Sequence, residues 1–350
     1  RSATSGAERH VVDLARLFTR SGHHVEAACP HRGNIARDFS SINVRSHELD
    51  MKSAGGLRAL GTLLKLVGRD RFDVVHVHLS RATYLGLVAC RLRRVPLVST
   101  VHVLTREPVY NLVAKKGRLV AVSNYIQRQL IAKGVPSSSI DVVYNGTDMD
   151  LHSYGEAVTV HEEFDIPRSR KLVGLVGRVA PEKGHMLAVQ ALPQVLEKHP
   201  DAHVMFVGRQ DGDYAEELQA ETARLKVEDR VTFTGNRNDV PRFFDSMEFS
   251  ILPSVMESFG LAVIECFARG RPVVATNVGA LPELVLPNVT GLLCERNPES
   301  LAGEMDYMFR HEAERHQMGH NARRMIEEKF SAAEMVKRLE EVYIRAGAKL

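Results

Sequence analysis

The chain has 350 residues and a formal net charge of +3 at pH 7, with 44% hydrophobic and 25% charged residues. This length exceeds what one hydrophobic core usually organises, and the composition excludes the collagenous, disordered and disulfide-stapled classes. The four cysteines have no CxxC spacing, so we expect reduced, buried thiols and a cytoplasmic location. They are Cys29, Cys90, Cys266 and Cys294.

The small net charge conceals an asymmetry along the chain. Residues 1–160 carry 22 Lys and Arg against 13 Asp and Glu, a net +9, whereas residues 161–350 carry 24 against 30, a net −6. A basic half suggests an anionic partner. No apolar run reaches the roughly 20 residues that a membrane span requires, so we expect any membrane contact to be peripheral.

The first half of the chain predicts helices that alternate with buried strands. A helix is predicted over Gly6–Arg20 from apolar residues at helical spacing. Because a βα unit opens with its strand, we expect a first, central strand of about six residues to be missing before Arg1. Continuous apolar runs predict strands at residues 24–29, 42–49, 73–79, 96–102, 118–123 and 141–144.

After a polar stretch at residues 154–170 the same rhythm restarts. Strands are predicted at residues 171–176, 203–207, 231–233, 249–252, 272–276 and 292–294. We therefore predict an α/β protein with two doubly wound, Rossmann-like domains over residues 1–160 and 161–330. A last helix within residues 331–350 is expected to cross back to the N-terminal domain.

One segment, residues 174–184, combines a strand end with two cations. The strand ends near Gly177, the loop carries Arg178 and Lys183, and a helix begins near Gly184. Free N–H groups at a helix N-terminus favour an anion, as the cations do, so the segment predicts a phosphate or diphosphate site. A surface loop with two solvated cations is the alternative. The segment is neither a Walker A loop nor a GxGxxG fingerprint, which disfavours nucleotide hydrolysis and hydride transfer.

A second segment, residues 253–265, follows a buried strand and carries two carboxylates. Glu257 lies in the loop and Glu265 about two turns into the next helix. The helix-end amides at residues 258–261 can bind an anion, and carboxylates accept hydrogen bonds from hydroxyl groups. A nucleotide sugar has this pattern, with phosphates between two hydroxylated rings. In the alternative, Glu257 caps the helix and Glu265 is solvated, although its apolar neighbours indicate burial.

These segments resemble the signature of the retaining glycosyltransferases of family 4, which have the GT-B fold. The signature is a Gly-Arg-x-x-x-x-Lys-Gly loop, here residues 177–184, and a Glu-x7-Glu element, here residues 257–265. Further matching segments are residues 6–10, 99–102, 145–148 and 279–283, so that the similarity covers nearly the whole chain.

The resemblance implies two Rossmann-like domains that face each other across a cleft and an enzyme that is a hexosyltransferase. The enzyme would move a sugar from a UDP- or GDP-sugar to a glycan or lipid-linked acceptor with retention of configuration. Family members of this kind act in bacterial envelope polysaccharide, lipopolysaccharide and glycolipid synthesis. Neither a cofactor nor a metal is expected, because the nucleotide sugar is a substrate and GT-B members need no metal for the chemistry.

The resemblance also implies roles for individual residues. Arg178 and Lys183 would bind the donor diphosphate and stabilise the leaving group. Glu257 would hold hydroxyls of the donor sugar, and Glu265 those of the ribose. His102 would lie near the donor sugar and the reacting centre as a polar contact, with a strand-end histidine of no special role as the alternative. The remaining implied donor contacts are Gly6, Arg209, Arg237, Ser258, Phe259, Gly260 and Leu261.

The chain departs from the family pattern at three places. Ser5 precedes Gly6 where the family has Gly-Gly, and Ser258 stands where Gly is more usual after the first Glu of the element. The expected absence of the first strand would remove support from the Gly6 loop. The change at Ser5-Gly6 predicts weaker approach of the diphosphate, and the missing strand predicts poor donor binding or an inactive chain.

Two kinds of metal motif are also present. Asp148-Met-Asp150 and Asp211-Gly-Asp213 are too short to be specific for a metal. His76 and His78 lie on one face of a strand, but we expect no third ligand nearby.

A basic surface that includes Arg91, Arg93 and Arg94 favours docking on anionic lipid at the inner face of the cell membrane, with an ordinary solvated helix face as the alternative. Nucleic acid is disfavoured because only 6% of the residues are aromatic and they do not interleave with the basic clusters. Two other function classes remain open, a GT-B sugar-nucleotide epimerase and a nonenzymatic two-domain sugar-binding protein.

Overall fold

A computed structural model describes residues 6–30, 35–49, 56–68, 71–104, 108–148, 159–210 and 212–350. Contacts between residues divide the chain into two compact units. Unit 1 comprises residues 1–145 and 332–350, and unit 2 comprises residues 146–331. The division after Asn145 comes earlier in the chain than residue 160, where the sequence suggested it.

Unit 1 contains two separate parallel sheets. In the first, β1 pairs with β2; the second has the order β3-β4-β5-β6. The strands are β1 (Glu26–Cys29), β2 (Arg45–Glu48), β3 (Val75–His78), β4 (Leu97–Val101), β5 (Arg118–Ala121) and β6 (Ile140–Val142). Each overlaps a strand that the apolar runs predicted, so the prediction of a parallel sheet with interleaved helices is confirmed.

The helices of unit 1 connect these strands in the predicted alternation. The helix predicted over Gly6–Arg20 has those bounds. The helices are α1 (Gly6–Arg20), α2 (Ile35–Ser41), α3 (Gly56–Leu66), α4 (Ser80–Arg93), α5 (Val109–Val113) and α6 (Asn124–Ala132).

A cavity of about 490 Å³ lies inside unit 1 and is lined by residues of both sheets. Ala27 of β1, Val77 of β3, and Leu14 and Phe18 of α1 are among the lining residues. Within the described residues, β1 and β3 each keep one edge without a partner strand. The further strand expected before Arg1 stays a prediction.

Unit 2 contains one continuous parallel sheet of six strands in the order β12-β11-β10-β7-β8-β9. The strands are β7 (Lys171–Val176), β8 (Ala202–Val207), β9 (Val231–Gly235), β10 (Phe249–Leu252), β11 (Val273–Thr276) and β12 (Gly291–Cys294). The order reverses between β7 and β10, as in a doubly wound fold, whose ligands bind at the carboxyl ends of the strands at this point. The predicted α/β fold class is confirmed.

Helices cover both faces of this sheet, and the core lies between strands and helices. Phe206 and Phe249 of the sheet pack with Val189 and Met305 of the helices, all of them buried. The helices are α7 (Val160–Glu163), α8 (His185–Lys198), α9 (Asp213–Arg224), α10 (Val240–Ser246), α11 (Leu261–Ala268), α12 (Leu281–Leu284), α13 (Pro298–Arg310) and α14 (Glu312–Lys329). The short α7 falls inside the stretch predicted as irregular. A capping box between Thr159 and Glu162 explains why it forms there.

The last helix, α15 (Ala332–Arg345), belongs to unit 1. Its Leu339, Val342 and Tyr343 pack in one apolar cluster with Leu14 and Phe18 of α1.

The cysteines and the helix lengths bear on two general expectations. All four cysteines are buried and unpaired, as predicted. None of the helices in the described residues is both long and apolar enough to span a membrane.

Candidate functional site

The predicted anion-binding segments both follow central strands of unit 2. The loop of Arg178 and Lys183 follows β7, and the loop of Glu257 follows β10; the two strands are direct neighbours. Since parallel strands end at the same edge of a sheet, their loops meet at the position where the strand order reverses.

Close backbone contacts fix the loop after β7. A Cβ atom on Gly208, the first residue after β8, would lie 1.9 Å from the carbonyl oxygen of Gly177. The amide of Val179 donates to the carbonyl oxygen of Arg209 over 2.9 Å. The loops after β7 and β8 therefore pack directly on each other, which brings Arg209 beside the loop of Arg178.

Gly184 joins the same loop to the loop after β10. It has φ of +79°, and a Cβ atom at this position would lie 1.8 Å from the carbonyl oxygen of Pro253. The amide of Val255 also donates to the carbonyl oxygen of Glu182 over 2.9 Å. Only glycine satisfies both the conformation and the approach, so this residue positions the turn that carries Lys183.

Lys183 and Glu257 meet in an ion pair, although 74 residues separate them. The Lys183 Nζ atom lies 2.6 Å from Glu257 Oε1, and the Ser254 hydroxyl donates to the same oxygen over 3.0 Å. Glu257 is only 9% exposed. A buried carboxylate of this kind needs such partners, and the pair places one cation and one hydroxyl-accepting group side by side.

The backbone of Glu257 is held from the other side by the segment after β11. A Cβ atom on Gly279 would lie 2.1 Å from the carbonyl oxygen of Glu257, and this oxygen accepts a hydrogen bond from the Ala280 amide over 2.9 Å. Thr276 Oγ1 donates to the carbonyl oxygen of Ser254 over 2.7 Å. Three neighbouring strands thus fix the position of one carboxylate.

Arg178 differs from Lys183 because it is accessible. Its side chain is 52% exposed and contacts the Glu182 carboxylate four residues on. An exposed pair of this type contributes little stability, so an anionic ligand can take the place of Glu182 as the partner of Arg178.

The residues predicted around the start of α11 are contiguous with Glu257. Gly260 has φ of +113°, Phe259 is buried, and Ser258 and Leu261 are half-buried. Glu265 is half-buried within α11, as its apolar neighbours indicated. The amides at the start of α11 and the two carboxylates are therefore parts of one loop and helix.

Arg237 follows β9 and lies among acidic and aromatic side chains. Its guanidinium bonds both oxygens of Asp239 over 2.8 and 2.7 Å, and it lies 2.8 Å from Glu163 of α7. The hydrogen bonds from Arg237 lower the pKa of Asp239. The guanidinium also packs on the Phe243 ring at 5.0 Å. Arg237 is thus an ion-pair residue that holds α7 and the segment before α10.

The predicted site residues of unit 1 are Gly6 and His102. Gly6 is the exposed first residue of α1. His102 follows β4 and is 9% exposed. Its Nε2 atom lies 3.0 Å from Nδ1 of His78, the last residue of β3.

Two more histidines surround this pair. The His10 ring of α1 lies 5.0 Å from the His102 ring, and the His76 ring lies 4.3 Å from the His78 ring, both measured between centroids. His76 bonds the Tyr343 hydroxyl over 2.8 Å through Nδ1 and Thr100 Oγ1 over 2.7 Å through Nε2. The expectation that no third histidine accompanies His76 and His78 was therefore wrong.

Burial sets the protonation of this histidine cluster, defined as His10, His76, His78 and His102. Loss of water contact lowers the pKa of His102 to about 4. Burial and the neighbouring imidazoles lower that of His76 to about 3, and they bring those of His10 and His78 well below the usual value. All four rings are neutral at pH 7.

The Asp-x-Asp motifs can be followed only in part. Asp148 and Asp213 are described, whereas Asp150 and Asp211 lie outside the described residues, as does Ser5.

Two protein-family models match the chain, one for each half. The model described as "Glycosyltransferase Family 4" matches residues 4–151, and the model described as "Glycosyl transferases group 1" matches residues 159–325.

Individual relatives are similar over most of the chain. A D-inositol 3-phosphate glycosyltransferase of Mycolicibacterium smegmatis is 31% identical over 84% of this chain and 69% of its own length. The UDP-Gal:alpha-D-GlcNAc-diphosphoundecaprenol alpha-1,3-galactosyltransferase of Escherichia coli is 26% identical over 84% of this chain and 81% of its own length. Among solved structures, Anabaena Alr3699/HepE in complex with UDP has the same fold. It has a TM-score of 0.88 and 22% identity over 99% of this chain and 98% of the other.

Proposed function

Because the chain belongs to the family 4, or group 1, glycosyltransferases and has the GT-B fold, we propose that it is a hexosyltransferase. It would move a sugar from a UDP- or GDP-sugar to a glycan or lipid-linked acceptor with retention of configuration. The observation that carries this proposal is the Lys183–Glu257 pair beside the accessible Arg178, at the switch point of the unit 2 sheet.

The donor would bind along the carboxyl edge of this sheet. Arg178 and Lys183 contact its diphosphate, and the amides of residues 258–261 contact the diphosphate or the sugar. Glu257 and Glu265 accept hydrogen bonds from hydroxyls of the donor sugar and of the ribose. Arg209, which lies beside the same loop, contacts the base. Arg237, which pairs with Asp239 and Glu163, is proposed as a further contact of the base.

The two cations would act most strongly as the glycosidic bond breaks. Negative charge then accumulates on the departing diphosphate, and preorganised cations stabilise that charge more than they stabilise the bound donor. In a same-face reaction the leaving phosphate accepts the proton of the acceptor hydroxyl, so no carboxylate nucleophile is needed. We assign His102 to a polar contact with the donor sugar and Gly6 to close backbone approach by the donor.

The charge of the units supports an anionic acceptor. Unit 1 carries 26 Lys and Arg against 13 Asp and Glu, a net +13, and unit 2 carries 20 against 30, a net −10. The separation is larger than the division of the sequence at residue 160 indicated. The names of the two relatives contain a phosphorylated inositol and a diphosphate-linked lipid, which fits an acceptor that carries phosphate.

A lipid-linked acceptor would also require contact with a membrane surface. At the end of α4, Leu92 is 64% exposed between Arg91 and Arg93, and Arg94 is exposed as well. This apolar and basic combination suits anionic lipid at the inner face of the membrane. A cytoplasmic location is supported by the buried, unpaired cysteines.

Vesicle binding tests the surface separately from catalysis. Changing Arg91, Arg93 and Arg94 together to Glu should abolish co-sedimentation with anionic vesicles. The matched control changes the exposed Arg323, Arg324 and Lys329 of α14 to Glu. Unchanged binding of the α4 variant would contradict membrane docking.

A thermal-shift panel with UDP, GDP, ADP and their sugars tests the donor site. A ligand at 100 times its Kd stabilises the folded protein by about 2.7 kcal/mol, which is readily measured. Arg178→Ala should abolish the shift, whereas Arg324→Ala on α14 should keep it. Absence of a shift with every nucleotide would remove the donor-site proposal.

Nucleotide release separates the transferase from the two alternatives. A transferase releases nucleoside diphosphate in proportion to the acceptor that it glycosylates. An epimerase converts one sugar nucleotide into another without an acceptor and with no net release of nucleoside diphosphate, and a sugar-binding protein turns over neither. Acceptor-independent turnover would therefore contradict the transferase.

A further inference from the structure

We propose that His10, His78 and His102 form a binding site for a transition-metal ion such as Zn²⁺ within unit 1. Their ligating nitrogen atoms all lie within 4.8 Å of one another. All three residues belong to unit 1, and none of them holds Lys183 or Glu257; of the three, only His102 has a role in the proposed function.

The fold brings the three residues together from separate elements. β3 and β4 pair in parallel, with His78 opposite Thr100, so His78 and His102 emerge at the same carboxyl edge of the sheet. His10 lies in the second turn of α1 and is 7% exposed. A rigid sheet edge thus supplies two ligands and a helix supplies the third.

The distances suit a small ion. In a tetrahedral site with metal–nitrogen bonds of 2.0–2.1 Å, two imidazole nitrogens lie about 3.3 Å apart. The Nδ1 atom of His78 and the Nε2 atom of His102 are already 3.0 Å apart, joined by one shared proton. A metal ion would take the place of this hydrogen bond, the donor ring moving its proton to its other ring nitrogen, and the His10 nitrogen would move by about 1.5 Å at most to complete the triad.

The chemistry of the ligand set selects the metal. Three neutral imidazoles, with no carboxylate or thiolate in the group, favour Zn²⁺, Co²⁺ or Cu²⁺ over Mg²⁺ and Ca²⁺, which prefer oxygen ligands. The fourth position stays open to water or to a substrate atom.

His76 acts as a supporting residue and not as a ligand. Both of its ring nitrogens are engaged, with Tyr343 and Thr100. Its ring packs beside that of His78 and restricts the orientation of this ligand.

Cobalt titration of the full chain tests the site directly. The protein is purified with a tag that contains no histidine and is stripped with EDTA. Co²⁺ should bind with 1:1 stoichiometry and give the visible absorption of a four-coordinate nitrogen site, and Zn²⁺ should displace it. His78→Gln and His10→Gln should each weaken binding at least about tenfold. His24→Gln is the matched control, because this side chain is 74% exposed and lies outside the cluster.

Two outcomes would overturn the proposal: no saturable 1:1 binding, or unchanged affinity in a folded His78→Gln variant. If both cluster variants fail to fold, X-ray absorption spectroscopy of the Zn²⁺-loaded native chain is used to count the imidazole ligands of the ion. Three imidazole ligands support the site, and fewer than three contradict it.

Discussion

The two units have the same alternation of strands and helices, but their sheets differ in continuity and in the burial of their strands. In unit 2 the six residues of β8 are all buried and the sheet is continuous. In unit 1 most residues of β1 and β3 are only half-buried, and the two sheets enclose a cavity. Unit 2 therefore has the more completely packed sheet, which we call the rigid scaffold, and the weakest packing among the described residues lies in unit 1.

The largest expected effect comes from a change in the rigid scaffold. Gly184→Ala should lower the free energy of unfolding of unit 2 by about 3 kcal/mol and abolish nucleotide binding, because the new Cβ meets the Pro253 carbonyl in a left-handed conformation. Gly303→Ala is the control: this exposed glycine within α13 has open space around it and should be neutral or slightly stabilising. Urea unfolding measures both. Equal stability of the two variants would contradict the rigid account of unit 2.

Removal of the Lys183 ammonium group should lower the rate of sugar transfer more than it lowers the stability of the fold. Lys183→Ala should lower kcat/KM about 100-fold, because it removes charge that stabilises the leaving group and leaves Glu257 without its partner. Lys329→Ala, an exposed change on α14, should leave the rate unchanged. Steady-state kinetics with nucleotide detection separate the two, and a wild-type rate for Lys183→Ala would exclude its role.

The difference in sheet continuity and strand burial also predicts which unit unfolds first. The chain has no Trp, so Tyr84→Trp reports on unit 1 and Tyr307→Trp on unit 2. Unit 1 should open at a lower urea concentration, with a free energy at least about 1.4 kcal/mol smaller, because of its cavity and unpaired strand edges. Coincident transitions of the two reporters would show that the units unfold as one.

Lowering the pH should increase the difference between the free energies of unfolding of the two units. A histidine with a depressed pKa in the folded state takes up its proton on unfolding, so stability is present above about pH 6.5 and falls as pH decreases toward the folded pKa. Four such histidines lie in the described part of unit 1, with His102 at about 4 and His76 at about 3. The described part of unit 2 has two, His185 and His203, each at about 4. The Trp reporters should show a steeper loss for unit 1 between pH 6.5 and 5, and a steeper loss for unit 2 would contradict this.

The smallest effect, that of Ala27→Val, is tested by making the same kind of substitution in both units. Ala27→Val in β1 should stabilise unit 1 by about 0.5–1 kcal/mol, since it adds volume at the cavity and strand propensity. Ala202→Val in β8 should destabilise unit 2 by about 1–3 kcal/mol, because Ala202 is fully buried. If both substitutions shift the urea midpoint in the same direction, the two sheets are packed alike.

The same contrast explains how far the sequence predicted the fold. The strand at Lys171–Val176 was predicted with the bounds observed, since a fully buried parallel strand is a continuous apolar run. The strand predicted at residues 42–49 is only Arg45–Glu48, because its four residues are all polar and the apolar residues of the predicted run, Ile42, Val44 and Leu49, flank it. The helix α7 was missed because its signal is a capping box and not an apolar face.

For the site, local motifs predicted what lies in a single loop, and they failed where distant segments meet. Arg178, Lys183 and Glu257 follow neighbouring parallel strands, so their proximity could be inferred. The partner of Arg237 is Glu163, which lies in a helix that the sequence analysis did not predict. The histidine cluster needed the pairing of β3 with β4, although histidines at the ends of two consecutive strands are a signal that could have indicated it.

The central claim is that unit 2 holds the nucleotide-sugar donor through Arg178 and its neighbours. Urea unfolding of the Tyr307→Trp protein, with and without saturating UDP, GDP or their sugars, tests it most directly. The account predicts that one of these ligands raises the midpoint of the unit 2 transition and that Arg178→Ala in the same protein removes the rise. A midpoint that no ligand changes, or a rise that survives Arg178→Ala, would contradict the account.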